Sequence, residues 1–265
     1  MNHLAILGGG NIGTALAEGF LAGGDLPPSS ITVTRRRVEK LSALQKKGIR
    51  TTHDNRQAVQ EARMIFLTVR PGQVHSLLEE IASLLDPSRH IVVSVVTNFS
   101  IQEIESFTGE TMPVVRAMPN TAVAVRESMT GLAANGPGRE VLTEVEALFT
   151  RVGRTYIIEE KLMAAATILN ACGIAYFLRV IRAISQGGIQ IGFHASEAQM
   201  IAAQVAKGAA QLLLHSGIHP EEEIDKVTTP RGVTIAGLNE MEHHGLSSAL
   251  IKGIVASFRE IDKLR

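Results

Sequence analysis

A short apolar run, Leu4-Ala5-Ile6-Leu7, leads directly into Gly8-Gly9-Gly10-Asn11-Ile12-Gly13, and a helical pattern follows as far as Leu21. This order of strand, glycine loop and helix constrains the fold more than any other feature of the chain. The glycines have the spacing G-x-G-x-x-G, with Gly8, Gly10 and Gly13 in the three slots. In that pattern the first glycine permits a tight turn and the second lets backbone approach a pyrophosphate. The third lets the helix pack closely on the strand. Unpaired N–H groups at the helix start then face the phosphates. Gly8, Gly9, Gly10, Asn11, Ile12 and Gly13 are therefore expected to hold a dinucleotide at the start of an α/β domain.

The first half of the chain continues in the same alternation. Apolar runs at 31–35, 64–69, 90–95, 112–116 and 129–134 are mostly rich in Val and Ile and are separated by helical patterns. This reads as βαβ units and a doubly wound, mostly parallel sheet. From about Glu159 strand patterns stop, and long Ala-rich helical stretches take over at 161–186, 195–216, 234–243 and 247–263. The expected organisation is a dinucleotide-binding domain over 1–158 and an all-α domain over 159–265. The first long helix carries Ile168, Leu169, Ala175, Tyr176, Leu178, Ile181 and Ile184. That is more apolar face than a small helical domain can bury alone, so this domain is expected to form a homodimer.

Composition excludes several classes. Lys plus Arg equals Asp plus Glu, 26 each, so neither nucleic acid nor a membrane surface is the expected partner. No run of about 18 uninterrupted apolar residues is present, and no transmembrane helix is expected. The first residues have no basic leader, and their apolar run stops at the glycines, so a signal peptide is not expected. Cys172 is the only cysteine, which fits a reducing, cytoplasmic setting.

The end of the second strand bears on the choice of cofactor. NAD enzymes usually carry Asp or Glu there, to bind the ribose 2′-hydroxyl. This chain has Thr34-Arg35-Arg36-Arg37, with no acid before Glu39. Thr34 can hydrogen-bond a 2′-phosphate, and Arg35 and Arg36 can pair with it bidentately. NADP(H) is therefore expected rather than NAD(H). Asn55, opening a helix after His53-Asp54, can reach the adenine side. Val69-Arg70-Pro71 follows the strand at 64–68, at the strand end where ligands bind in open α/β sheets.

Four segments, taken in order, resemble the pyrroline-5-carboxylate reductase family. They are Gly8–Gly13, Val69-Arg70-Pro71, Val115-Arg116-Ala117-Met118-Pro119-Asn120-Thr121, and Val227-Thr228-Thr229-Pro230-Arg231-Gly232-Val233-Thr234-Ile235-Ala236-Gly237-Leu238. The resemblance spans nearly the whole chain. It implies an N-terminal Rossmann domain and a helical dimerisation domain whose helices interlock with those of a second copy. It also implies NADPH-dependent reduction of 1-pyrroline-5-carboxylate to L-proline, and assembly of dimers into decamers. Met118, Pro119 and Asn120 are then expected to shape the nicotinamide pocket.

Thr229, Pro230, Arg231, Gly232, Val233 and Thr234 are expected to bind substrate. Thr229 reads as an N-cap with Pro230 at the first helical position, which leaves the following amides free for a carboxylate. The resemblance places Thr234 by the ring nitrogen as a hydrogen-bonding, proton-supplying residue. Several positions depart from the family pattern. Asn170-Ala171-Cys172-Gly173-Ile174-Ala175-Tyr176 stands for S-G-S-G-P-A-Y, Thr97-Asn98-Phe99 for A-G-I, and Arg231 for a glycine. These departures motivate the alternative of a different cyclic imine. A non-catalytic NADP(H)-binding regulator is the reading from another class.

Among other candidates, His215, His219, His243 and His244 lack the acid–His spacing of a metal site, and none is expected. The β-hydroxyacid dehydrogenases share the two-domain plan but need a base for the hydroxyl proton. Their catalytic lysine lies one helical turn before an asparagine. Here Ala166 stands four residues before Asn170, which favours imine reduction.

Overall fold

The computed structural model describes residues 3–24 and 26–261. Eight strands form one sheet: β1 Leu4–Leu7, β2 Ile31–Thr34, β3 Arg50–Thr52, β4 Met64–Leu67, β5 Ile91–Ser94, β6 Val114–Met118, β7 Ser128–Ala134 and β8 Gly153–Ile157. Their order across the sheet is β3-β2-β1-β4-β5-β6-β7-β8. All pairings are parallel except β6 with β7. The strand order reverses between β1 and β4, so the loops at the C-terminal strand ends open a crevice there. This is the mostly parallel Rossmann-like arrangement expected from the sequence.

The apolar runs are continuous because both faces of the sheet are covered. Leu4, Ile6, Met64, Phe66, Ile91 and Val93 bury on one face with Leu16, Phe20 and Phe149. Ala5, Leu7, Ile65, Leu67 and Val92 bury on the other, against Val74, Leu78, Ile81 and Ile104. Phe20, Phe66 and Phe149 meet as a trio, with ring centroids 5.5, 5.7 and 6.1 Å apart. Tilted and edge-on ring pairs of this kind add stability beyond their buried area.

Two strands lie outside the expected set, β3 and β8. Both are at sheet edges and carry little apolar pattern (Arg50-Thr51-Thr52 and Gly153-Arg154-Thr155-Tyr156-Ile157). Backbone pairing to β2 and β7, rather than burial, makes them strands.

The chain divides into two compact units, Met1–Cys172 with Ser257–Arg265, and Gly173–Ala256. The second is entirely helical, with Gly173–Gln190, Ala195–Ser216, Pro220–Lys226, Val233–His243 and most of Leu246–Glu260. The expected helix at 247–263 starts one residue earlier, and its positions 262 and 263 lie outside the described residues. The expected helix at 161–186 is interrupted by a π-helical turn over Thr167–Cys172. One helical run, Glu160–Gln190, is long and apolar enough by length and composition alone to cross a membrane. Isoleucine, leucine and alanine side chains supply its apolar character, and Asn170, Arg179 and Arg182 interrupt it, so no uninterrupted apolar run of about 18 residues is present.

Candidate cofactor-binding site

The glycine loop joins β1 to the helix Asn11–Ala22. Gly8 has φ 120, a conformation L side chains rarely adopt, and its residue type follows from that. At Gly13 the constraint is contact: an added Cβ would lie 2.2 Å from the Gly8 carbonyl oxygen. Thr68 at the end of β4 pins the loop, its hydroxyl placed 2.9 Å from the carbonyls of both Leu7 and Gly8. Gly10 caps the helix with extended backbone and no side-chain cap, and no acid stands in the first turn. A Cβ at Gly10 would meet nothing within 4 Å. The helix start therefore presents bare amides beside open space, which is what an anionic phosphate needs.

A cleft of ≈ 440 Å³ opens at this loop. Gly8, Gly9, Gly10, Thr34, Arg35, Arg36, Asn55, Val69 and Arg70 all line it, together with Arg37, Lys40, His53, Thr68, Gln73, Ser76, Leu77 and Glu80. The first nine were expected from sequence. Asn11, Ile12, Gly13 and Pro71 are adjacent in the chain but do not line it: Ile12 packs on the core, and Pro71 opens a short 3₁₀ turn. Arg37 and Lys40 extend the basic cluster beyond the expected pair, whereas Glu80 adds one acid from the helix Val74–Ile81. Glu80 carries no sequence signal, since only the packing of that helix brings it to the cleft.

The cleft's polar groups are ordered by one another. Gly9 N donates to Thr34 O at 2.7 Å, and the Arg35 guanidinium returns across the loop to donate to Gly9 O at 2.7 Å. Arg35 is half-buried, while Arg36 and Arg37 are exposed. The Thr34 hydroxyl donates to Asn55 Oδ1 at 2.6 Å, and Asn55 Nδ2 donates to Glu80 at 2.9 Å. Asn55 opens its helix as expected, with Asp54 as the cap accepting from Gln57 N at 3.0 Å.

Met118 ends β6 and Pro119 and Asn120 follow it; all three are buried, outside this cleft. Met118 packs with Ala133, Met163 and Ala166. The Asn120 side chain accepts from Ala122 N at 2.9 Å and donates to Asn170 O at 3.2 Å.

The segment at 229–234 lies in the helical unit and is largely exposed in the single chain. Here the expected capping is corrected. Gly232, not Thr229, is the N-cap, and the helix begins at Val233. Thr229–Gly232 is instead a turn, closed by Gly232 N donating to Thr229 O at 2.9 Å. Proline in its second position and Arg231 at φ 59 in its third give it the type II form. Gly232 N is consequently engaged in the turn, and the open first-turn amides begin at Val233 and Thr234. Arg231 and Asn98 are both non-glycine residues at positive φ, at 59 and 55, where the resembled family has glycine.

Burial pushes the Cys172 thiol above its ordinary range, which opposes a nucleophilic role. Among the described residues no group of three or more His, Cys, Asp or Glu can hold a metal ion.

Comparison with known proteins agrees with this arrangement. Residues 160–264 match the family model "Pyrroline-5-carboxylate reductase dimerisation", and residues 3–98 match "NADP oxidoreductase coenzyme F420-dependent". Pyrroline-5-carboxylate reductase 2 of Dictyostelium discoideum is 44% identical over 98% of this chain and 92% of its own length. The chain belongs to the pyrroline-5-carboxylate reductase family. A second relative from that organism, pyrroline-5-carboxylate reductase 1, is 45% identical over 97% of this chain, which spans 48% of that longer protein. The solved pyrroline-5-carboxylate reductase of Coxiella burnetii superposes with TM-score 0.89 at 29% identity, covering 99% of this chain and 98% of its own. A member of this family self-associates through the region matching the dimerisation model.

Proposed function

We propose that this chain reduces 1-pyrroline-5-carboxylate to L-proline with NADPH. The observation that carries the proposal is the relationship to named reductases along nearly the whole chain, glycine loop and helical unit alike. The cleft fits the cofactor. Bare amides and the open space over Gly10 suit a pyrophosphate. Arg36, Arg37 and Lys40 offer cations at the end of β2, where a 2′-phosphate would lie.

When bound, NADPH supplies the hydride; the imine carbon takes it and the ring nitrogen takes a proton. The chain's contribution is alignment of two ligands in near-attack geometry. The glycine loop and basic cluster fix the adenosine half, and the ends of β4, β5 and β6 support the nicotinamide half. The turn Thr229–Gly232 and the amides of Val233 and Thr234 take the substrate carboxylate, with Arg231 as a nearby cation. Thr234 hydrogen-bonds the ring nitrogen. We assign the working form as a homodimer, in which the loop at 229–234 serves the cofactor of the other copy, with decamers as the higher assembly.

The test is NADPH oxidation at 340 nm with 1-pyrroline-5-carboxylate, beside NADH and beside the six-membered piperideine-2-carboxylate. Proline formed from the five-membered imine is the expected result. Turnover of the six-membered imine alone would refute the substrate, and tight NADPH binding with turnover of neither would refute the enzyme reading. The two arginines separate in the same assay. Arg36→Ala should raise KM for NADPH at least about tenfold, on the order of 1.4 kcal/mol, and spare NADH. Arg35→Ala should weaken both cofactors, because Arg35 also holds the glycine loop.

A further inference from the structure

Met118, Gly131 and Tyr156 are register partners across three adjacent strands, β6, β7 and β8. Gly131 leaves the middle of this row without a side chain, and the Tyr156 ring lies across it. A Cβ at Gly131 would come within 3.2 Å of Tyr156 Cζ and Oη. The Tyr156 hydroxyl thereby reaches Asn170, in the π-helical turn Thr167–Cys172, at 3.1 Å from Oδ1 and 2.9 Å from Nδ2. Asn170 Nδ2 also donates to Met118 O at 3.1 Å, which closes the circuit back to the first strand of the row. That carbonyl fixes which end of the amide is nitrogen. Two residues further on, Asn120 Nδ2 donates to the Asn170 backbone carbonyl at 3.2 Å.

One residue thus holds the chain on both sides of Pro119. Asn170 is 6% exposed and Asn120 7%. The Asn170 amide has both protons and one lone pair of its oxygen engaged within the protein, so both of its donors are already taken. A buried polar network of this kind, with its donors engaged, rigidifies what it joins. What it joins is the C-terminal end of β6. In an open α/β sheet that end belongs to the ligand crevice, on the far side of β4 from the glycine loop. π-Turns in helices are frequent at functional positions, and this one brings Asn170 to β6 with both its carbonyl and its amide.

We propose that Asn170 and Tyr156 are positioning residues for hydride transfer. They lock the Met118-Pro119-Asn120 shelf against the π-turn and so fix the height of the nicotinamide ring. Neither touches substrate or cofactor. The inference rests on the reading of the chain as an NADPH-dependent imine reductase. Sub-ångström placement of the reacting carbon is where such a lock acts, since small displacements cost rate steeply.

The test uses the full-length protein with Tyr156→Phe, which removes only the hydroxyl and keeps the ring over Gly131, and with Asn170→Ala. Tyr156→Phe should lower kcat about tenfold and raise the primary deuterium isotope effect from 4-deuterated NADPH. Affinity for 2′,5′-ADP, which reports the adenosine half alone, should stay within about twofold. The double variant should be no worse than Asn170→Ala, because the two residues act as one unit. An unchanged kcat and isotope effect, or a loss of 2′,5′-ADP affinity equal to the loss of kcat, would overturn the proposal. Fluorescence of the bound dihydronicotinamide keeps the test independent of substrate. If the native chain turns over no imine, the functional reading falls. The lock then still predicts an altered nicotinamide emission in Tyr156→Phe, and unaltered emission would refute it.

Discussion

A methyl group added at Gly13 would sit 2.2 Å from the Gly8 carbonyl oxygen, and the same addition at Gly10 would meet nothing within 4 Å. The two substitutions should therefore fail in different ways. Gly13→Ala forces helix and loop apart and should cost about 1–3 kcal/mol of stability, read as a lower midpoint in urea. Gly10→Ala meets no atom, so it should cost no more than the loss of a favoured N-cap residue, about 1 kcal/mol or less, and its Cβ enters the space proposed for the pyrophosphate. Its effect should appear as a KM for NADPH raised about tenfold or more. A stable Gly13→Ala protein, or a Gly10→Ala protein with native KM, would remove the assigned roles. The spacing of the glycines was legible in the sequence, and so was the basic end of β2. What each side chain does there was not legible. Arg35 and Arg36 are neighbours of the same type in one cleft, yet Arg35 folds back on Gly9 while Arg36 stays exposed. Glu80 reaches that cleft only through the packing of its helix.

At the scale of elements, burial decides what could be foreseen. Strands sandwiched between two helical layers announce themselves as apolar runs, and β1, β2, β4 and β5 fall within a residue or two of expectation. The edge strands β3 and β8 carry no such signal. Neither does the helix Pro220–Lys226, whose sequence PEEEIDK lacks an apolar face. The π-turn is invisible too, since its residues read as a continuous helix. Capping shows how a local pattern can mislead. Thr229-Pro230 has the look of a helix start, but Arg231 takes up positive φ, and the helix waits for Gly232. Ser100 by contrast is a working cap. It accepts from Glu103 N at 3.1 Å, and Glu103 in return accepts from Ser100 N at 2.7 Å. Ser100→Ala should therefore cost about 1 kcal/mol in urea denaturation, and Thr229→Ala less than about 0.5 kcal/mol. Equal losses at the two sites would restore Thr229 as the cap.

For the whole molecule, the helical unit poses a burial problem that the α/β unit does not. Between Gly173 and Ala256 the buried residues are Gly173, Ser185, Ala198 and Ala202, all small. The large side chains are outside: Phe177 is 72% exposed, Leu178 59%, Met200 65% and Val205 61%. Helices this apolar and this bare are not stable alone in water, and contiguous exposed apolar surface marks an association face. The match of residues 160–264 to a dimerisation model identifies the cover as another copy of the chain. In a two-fold interface each substitution acts twice. Burying a Phe side chain contributes about 1.5–3 kcal/mol, so Phe177→Asp should weaken the dimer on the order of 10²-fold or more. Sedimentation velocity over a dilution series should show the variant dissociating at concentrations where the native protein stays associated. Because the α/β unit has its own two-faced core, 2′,5′-ADP should bind the dissociated variant with native affinity, while imine reduction is lost with the partner's loop. A variant that dissociates yet keeps full turnover would show that each chain completes its own site, and one that stays associated would place the interface away from Phe177.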